Sequence, residues 1–397
     1  MSGLFFRQGM LRDLLLGIGL LAATLALLVD PQSAMEAARN GLALCGNVIV
    51  PSLFPFFVLS SLVVDLGLAG YLGRVLERVM WPLFRVNGSC ACALALGFIG
   101  GYPVGARTAI ALYQGGMCTR TEAQRLLAFC NNSGPAFILG VVGAGVFASS
   151  RVGVLLCLAH ALASVCVGVL FRFYRGGETR GRRCRRSAAG PEFQAKRFTA
   201  VFTGAVKNSF LSTLNICAFV IFFTVVLQLL VTAGVLPGLA RLLGALLGPL
   251  GLTEEWAGRL LTGLVEISSG VWTLTGEGTL SGRLTMAAFL LGWAGLSVHC
   301  QVLSFLGDSG LSPRTYLAGK LLHGGLSALF VAGLTRLIPL EAPVSDYLAQ
   351  QVADIASAEF STTLVLSVVS AWLVFLLFFL AAAASRKNLG KAGRGVL

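Results

Sequence analysis

The chain has 397 residues, of which 56% are hydrophobic and 12% charged, with 49 glycines and a mean hydropathy of +0.83. A soluble domain carries about 25% charged residues. So few charges exclude a soluble enzyme, a disordered chain and a fibre, and they leave an all-α polytopic membrane protein.

The net charge of +13 is concentrated rather than spread. Nine basic residues against Glu178 and Glu192 lie between Arg172 and Arg197, and Arg386, Lys387, Lys391 and Arg394 follow in the tail. Basic clusters beside apolar segments match cytoplasmic loops facing anionic lipid headgroups, so membrane lipids are the expected partners and nucleic acid is not.

In chain order, the first span is expected over residues 14–29, as a retained helix after Arg7 and Arg12. Uncharged stretches follow at 40–64, 86–106, 132–150, 152–171 and 208–240, with further apolar segments at 284–307, 321–335 and 360–385. Three of these segments are poor ordinary helices. Residues 94–105 read LALGFIGGYPVG, 131–135 read NNSGP, and 264–270 read LVEISSG. Glycine frees the backbone and proline removes a donor, so the helix breaks there. Backbone freed at membrane depth must be buried in protein or face a water-filled cavity.

Charge bias orients the chain. Residues 339–359 hold Glu341, Asp346, Asp354 and Glu359 with no Lys or Arg, so this loop is expected outside. The basic loop and both termini are expected in the cytoplasm. These sides agree if 86–115 forms a re-entrant hairpin and a matching hairpin around 258–296 enters from the other face.

The halves also echo one another. Trp81-Pro82-Leu83-Phe84 recurs as Gly248-Pro249-Leu250-Gly251, and Gly97-Phe98-Ile99-Gly100 as Gly263-Leu264-Val265-Glu266. Ser133 matches Ser297, while Arg151 and His160 match Arg314 and His323, 163 residues on. The expected organisation is an N-terminal helix and linker (1–40), repeat one (41–175), a basic loop (176–200), repeat two (201–338), and an external loop, last helix and basic tail (339–397). Repeat one starts outside and repeat two inside, so the repeats are expected to be inverted, with a site near the midplane where paired broken helices meet.

Candidate site residues follow from these breaks. Glu266 is an ionisable group in an uncharged stretch, which marks a functional site or a carboxylate capping a freed helix end with Ser268 and Ser269 beside it. Asn131, Asn132 and Ser133 supply amides and a hydroxyl for a polar ligand, or ordinary capping chemistry. Gly100 and Gly101 offer bare backbone with Tyr102 alongside, or else a tight hairpin. His299 and Gln301 follow the second break, and His160 and His323 read as interhelical hydrogen-bonding groups.

Ten cysteines, mostly in apolar context and without a C-x-x-C, read as small reduced hydrophobes, and three scattered histidines do not make a metal site. Nucleophile elbows, Walker A loops, zinc-protease and EF-hand patterns are absent from the sequence, so no catalytic residues, metal or cofactor are expected and the chain is not expected to be an enzyme.

The strings Val50-Pro51-Ser52-Leu53-Phe54-Pro55-Phe56-Phe57, Gly97-Phe98-Ile99-Gly100-Gly101-Tyr102-Pro103-Val104-Gly105-Ala106 and Glu122-Ala123-Gln124-Arg125-Leu126-Leu127-Ala128-Phe129-Cys130-Asn131-Asn132-Ser133-Gly134-Pro135 resemble the YlbJ-type sporulation integral membrane proteins, within the nucleoside recognition (Gate) group. The resemblance implies a Gate domain similar to parts of concentrative nucleoside carriers and ferrous-iron permeases, in the membrane of an endospore-forming bacterium. The expected function is a secondary transporter or permease for a small polar solute, nucleoside-like or related. The alternative is a membrane scaffold or assembly factor for spore formation. A homo-oligomer is compatible with either.

Overall fold

A computed structural model of the chain describes residues 2–66, 68–175 and 198–337, together with Val365, Val368, Val369 and Trp372. Most of the basic loop, the acidic loop at 339–359, most of the last expected helix and the tail lie outside the described residues. Among the described residues the fold is all-helical, with no strand.

Four helical segments are long and apolar enough to cross a bilayer: Ser150–Phe171, Thr199–Thr232, Leu280–Leu306 and Pro313–Leu337. Two further spans arise if each bent pair is one crossing. In one, Gly17–Val29 turns 97° into Pro31–Asn47; in the other, Leu76–Phe84 turns 93° into Gly88–Gly100. The first bend has a local cause. Asp30 ends α1 (Ser2–Val29) and caps α2 (Pro31–Leu44), its carboxylate accepting from the Ser33 N–H, with Pro31 at the first helical position. The first expected span is therefore one arm of a bent pair.

Helices α3 (Val50–Asp65) and α4 (Leu68–Phe84) lead into the first broken segment. There α5 (Ala91–Gly100) and α6 (Val104–Gln114) fold against each other about Gly101–Pro103. A capping box between Thr119 and Glu122 starts α7 (Arg120–Leu127), which ends at the Asn131–Pro135 break. Residues 132–150, expected to be a span, instead form the π-helical segment Ala136–Val146, rich in glycine, before Ser149 caps α8 (Ser150–Phe171).

The same succession recurs after α9 (Phe198–Thr232) and α10 (Val235–Leu247). Helix α11 (Glu254–Val265) is broken at Glu266 and followed by α12 (Ile267–Trp272). Thr279 caps α13 (Leu280–Trp293), which is broken at Ala294 before α14 (Gly295–Leu306), and α15 (Pro313–Leu337) closes the described fold. The second hairpin is thus tighter than the 258–296 expected. Its arms are α11 and α12, and α13 stands outside it. The break at Ala294 was not legible, because alanine favours helix, yet its φ of +83° precedes Gly295 at +82°.

Glycines set the close approaches in both halves. A Cβ on Gly97 would lie 3.0 Å from Gly105 Cα, and one on Gly270 would lie 2.2 Å from Gly263 Cα, so each hairpin closes backbone on backbone. The apolar cores are shared between the halves. Ile138, Val142 and Leu156 pack with Ile267, Val271 and Leu290, whereas Leu126, Phe129 and Cys130 pack with Val302, Leu306 and Tyr316. That sharing brings the breaks together.

Candidate functional site: a buried polar junction

The break after α7 is clamped from three sides. The Cys130 carbonyl oxygen lies where a Cβ on Gly97 or Gly105 would stand, at 2.0 and 1.9 Å. A Cβ on Gly319 of α15 would meet Ala128 O at 2.3 Å, and Gly101, at φ +75°, faces Gly134 N at 2.8 Å by the same measure. Gly100 is buried at the end of α5. The bare backbone of Gly100 and Gly101 therefore makes the tight hairpin seat for the Asn131–Pro135 break.

Within that seat the polar side chains converge. Asn131 Nδ2 donates to Tyr316 Oη at 3.3 Å, and Tyr316 Oη lies 2.9 Å from His299 Nδ1. Asn132 Nδ2 donates to Phe129 O at 3.1 Å, an oxygen that also accepts from Ser164 Oγ at 2.7 Å. The Ser133 N–H donates to His160 Nε2 at 3.0 Å, and His323 Nε2 lies 2.9 Å from His160 O. The edge of the Trp293 indole meets His299 with centroids 4.4 Å apart, and its Nε1 donates to Leu264 O. The three histidines, scattered in the sequence, thus belong to one buried cluster, with His160 and His323 bonded between helices as expected.

A residue that the sequence reading passed over sits at the centre. Lys320 is 1% exposed; its Nζ donates to Asn131 O at 2.9 Å and lies 5.6 Å from the centroid of the Tyr102 ring. Among the described residues no carboxylate pairs with it. The expected span began at 321 and so left Lys320 at a membrane edge, whereas α15 begins eight residues earlier and carries it inside. The missed signal is a stripe: Tyr316, Lys320, His323 and Ser327 recur every three or four residues on an apolar helix, which places them on one face. All four are buried.

Several polar atoms here are buried with no hydrogen-bond partner among the described residues. They are Tyr102 Oη, Asn131 Oδ1, Asn132 Oδ1, Ser133 Oγ, His160 Nδ1, His299 Nε2, His323 Nδ1 and Ser327 Oγ. Each such atom costs about 1–3 kcal/mol while it stays unpaired. Their concentration at one junction makes it the candidate site.

Glu266 is placed differently. Its Oε1 accepts from the Ser268 N–H at 3.0 Å and its Oε2 from the Ser269 N–H at 2.7 Å, so it ends α11 and caps α12. Both oxygens are occupied by the helix N-terminus, and Ser268 and Ser269 take part through their backbone. This is the capping alternative of the two sequence readings. Glu266→Gln leaves one acceptor oxygen for two N–H groups and removes the charge from a helix N-terminus, so the protein should lose about 1–3 kcal/mol of stability. Thermal unfolding of the purified variant checks this; an unchanged midpoint refutes the capping role. Gln301, on α14, is buried with Nε2 3.5 Å from Ser297 Oγ one turn earlier and stands outside the hydrogen-bonded chain that holds His299.

The family model described as Gate, nucleoside recognition, matches residues 48–176. The chain is 30% identical over 335 residues to the sporulation integral membrane protein YlbJ of Bacillus subtilis (strain 168), covering 81% of this chain and 82% of that protein. The matched Gate region holds the first broken hairpin, the Asn131–Pro135 break and His160, which is the first half of the junction.

Proposed function

The chain belongs to the YlbJ-type sporulation integral membrane proteins, and on that premise we propose that it is a secondary transporter whose site is the buried junction of broken helices. It moves a small polar solute and does not convert it. One observation carries this reading: the amine of Lys320 is buried with no carboxylate partner among the described residues, beside polar atoms that lack hydrogen-bond partners. A buried charge is tolerated when something compensates it, and here the solute supplies that compensation.

The donor count indicates the solute class. Asn131 donates to the Tyr316 hydroxyl, whose own hydrogen can go to His299 Nδ1; in that arrangement the His299 hydrogen sits on the unpartnered Nε2. Tyr102 Oη and Ser133 Oγ, hydroxyls near one another, add polar atoms to the same seat, with the Tyr102 ring 5.6 Å from Lys320 Nζ. With Lys320 protonated, such a site binds a small solute with an anionic group, a carboxylate or phosphate, whose own donors reach the unpartnered Asn131 Oδ1 and Asn132 Oδ1. Uptake into proteoliposomes tests the choice: labelled small carboxylates should enter and compete with one another, while uridine should do neither. Uptake of uridine unaffected by carboxylates refutes the anionic reading, and uptake of neither class refutes transport.

The doubled order of elements, each half with a glycine-closed hairpin, a threonine-capped helix and a second break, supports a pair of repeats, and the charge bias of the loops is the ground for relating them by inversion. Both termini and the basic loop are then cytoplasmic. Under this topology Cys184 should react with an impermeant maleimide from the cytoplasmic side, and the substitution Ala349→Cys from the outer side. Labelling of both from one side contradicts the inverted arrangement.

A further inference from the structure

His160 of α8 and His323 of α15 stack with ring centroids 4.2 Å apart and planes at 39°. Their hydrogen bonds fix opposite tautomers. The Ser133 N–H donates to His160 Nε2, so that nitrogen is bare and the neutral ring carries its hydrogen on Nδ1. A carbonyl oxygen can only accept, so His323 carries its hydrogen on the Nε2 that faces His160 O and leaves Nδ1 bare. Both Nδ1 atoms are buried without a partner among the described residues.

An added proton has different consequences on the two rings. On His160 it would have to sit on Nε2, donor against donor with the Ser133 N–H, and the bond between α8 and the break would be lost. On His323 it goes to Nδ1, the bond from Nε2 to His160 O is kept, and the added charge strengthens that bond. We propose that His323 Nδ1 is a proton-binding site within the junction, with His160 as its fixed neutral partner.

The charged group that acts on both rings is Lys320, on the same face of α15; Tyr316, Tyr102 and His299 belong to the network around Lys320. Glu266 is occupied as the cap of α12. Lys320, three residues before His323, is the positive charge on that face. A proton on His323 adds a second, and an anion bound at Lys320 offsets both. Anion and proton therefore favour each other's binding, and by linkage the effect is mutual. This coupling rests on the anionic-solute reading, whereas the choice of His323 over His160 does not.

The sequence contains three histidines, so full-length protein carrying 15N-histidine in lipid nanodiscs gives three sets of ring signals. The variants His160→Gln and His323→Gln assign them by loss. At neutral pH His160 should show the Nδ1–H tautomer, and His323 and His299 the Nε2–H tautomer. On acidification without solute His323 should become doubly protonated before His160. Benzoate or inorganic phosphate should raise the proton affinity of His323 by about tenfold. The proton site is overturned if His160 takes the second proton first, if neither ring takes one before the protein unfolds, or if His160 and His323 show the same tautomer. A His323 titration indifferent to both anions overturns the coupling and counts against the anionic solute, while leaving the proton site standing.

Discussion

Lys320→Met should abolish solute uptake while leaving the protein as stable as before or more so. The substitution keeps an unbranched side chain of similar length, gives up one hydrogen bond to Asn131 O, and removes a buried charge that has no carboxylate partner among the described residues. Replacing buried charge by packed apolar atoms is often neutral or stabilising, by about 1–4 kcal/mol. Losing a buried charge from a binding site costs about 2–5 kcal/mol of affinity, so uptake at subsaturating solute should fall roughly 30-fold or more. Uptake in proteoliposomes beside thermal unfolding of the same preparation gives the answer. A destabilised variant that still transports would make Lys320 a structural residue and would remove the main support for an anionic solute.

The second large effect is expected at Gly105. Gly105→Val should prevent accumulation of folded protein, because even the first carbon of the new side chain would stand 1.9 Å from Cys130 O and 3.0 Å from Gly97 Cα. Neither neighbour is a flexible side-chain end. Both are backbone, held by the hairpin and by the break that carries Asn131. Overpacking in a close-packed core costs about 1–3 kcal/mol where side chains can yield, and a backbone clash of this depth should exceed that range. Gly140→Ala, in the same half and with open space around its position, is the matched control and should fold normally. Equal yields of the two variants from membranes would show that the hairpin can open without cost, contrary to the packing described.

The comparison of Lys320 with Glu266 shows how a charge can be misread from sequence. Both are single ionisable residues among apolar neighbours, and cost alone nominates both as functional. Glu266 resolves its cost locally, two and three residues ahead, by accepting the first N–H groups of α12. Lys320 has no such local solution, since an ammonium cannot satisfy helix N–H groups and its nearest acceptor is Asn131, 189 residues away.

The sequence by itself determined the class of the molecule, the places where its helices break and the residues that surround those breaks. Charge fraction fixes the solvent a chain can live in, and glycine and proline act on the backbone at their own positions, so both effects are local and readable. Tertiary structure alone decided which breaks meet. The pairing of His160 with His323, the seat of the Cys130 carbonyl between Gly97 and Gly105, and the burial of Lys320 depend on helices distant in sequence sharing one core. The apolar residues that build that core pack by shape, and shape complementarity between distant segments leaves no periodic trace in a single sequence. The Ala294 break belongs with these, because alanine at φ +83° is held by its full burial in the core shared between the halves and not by any preference of its own.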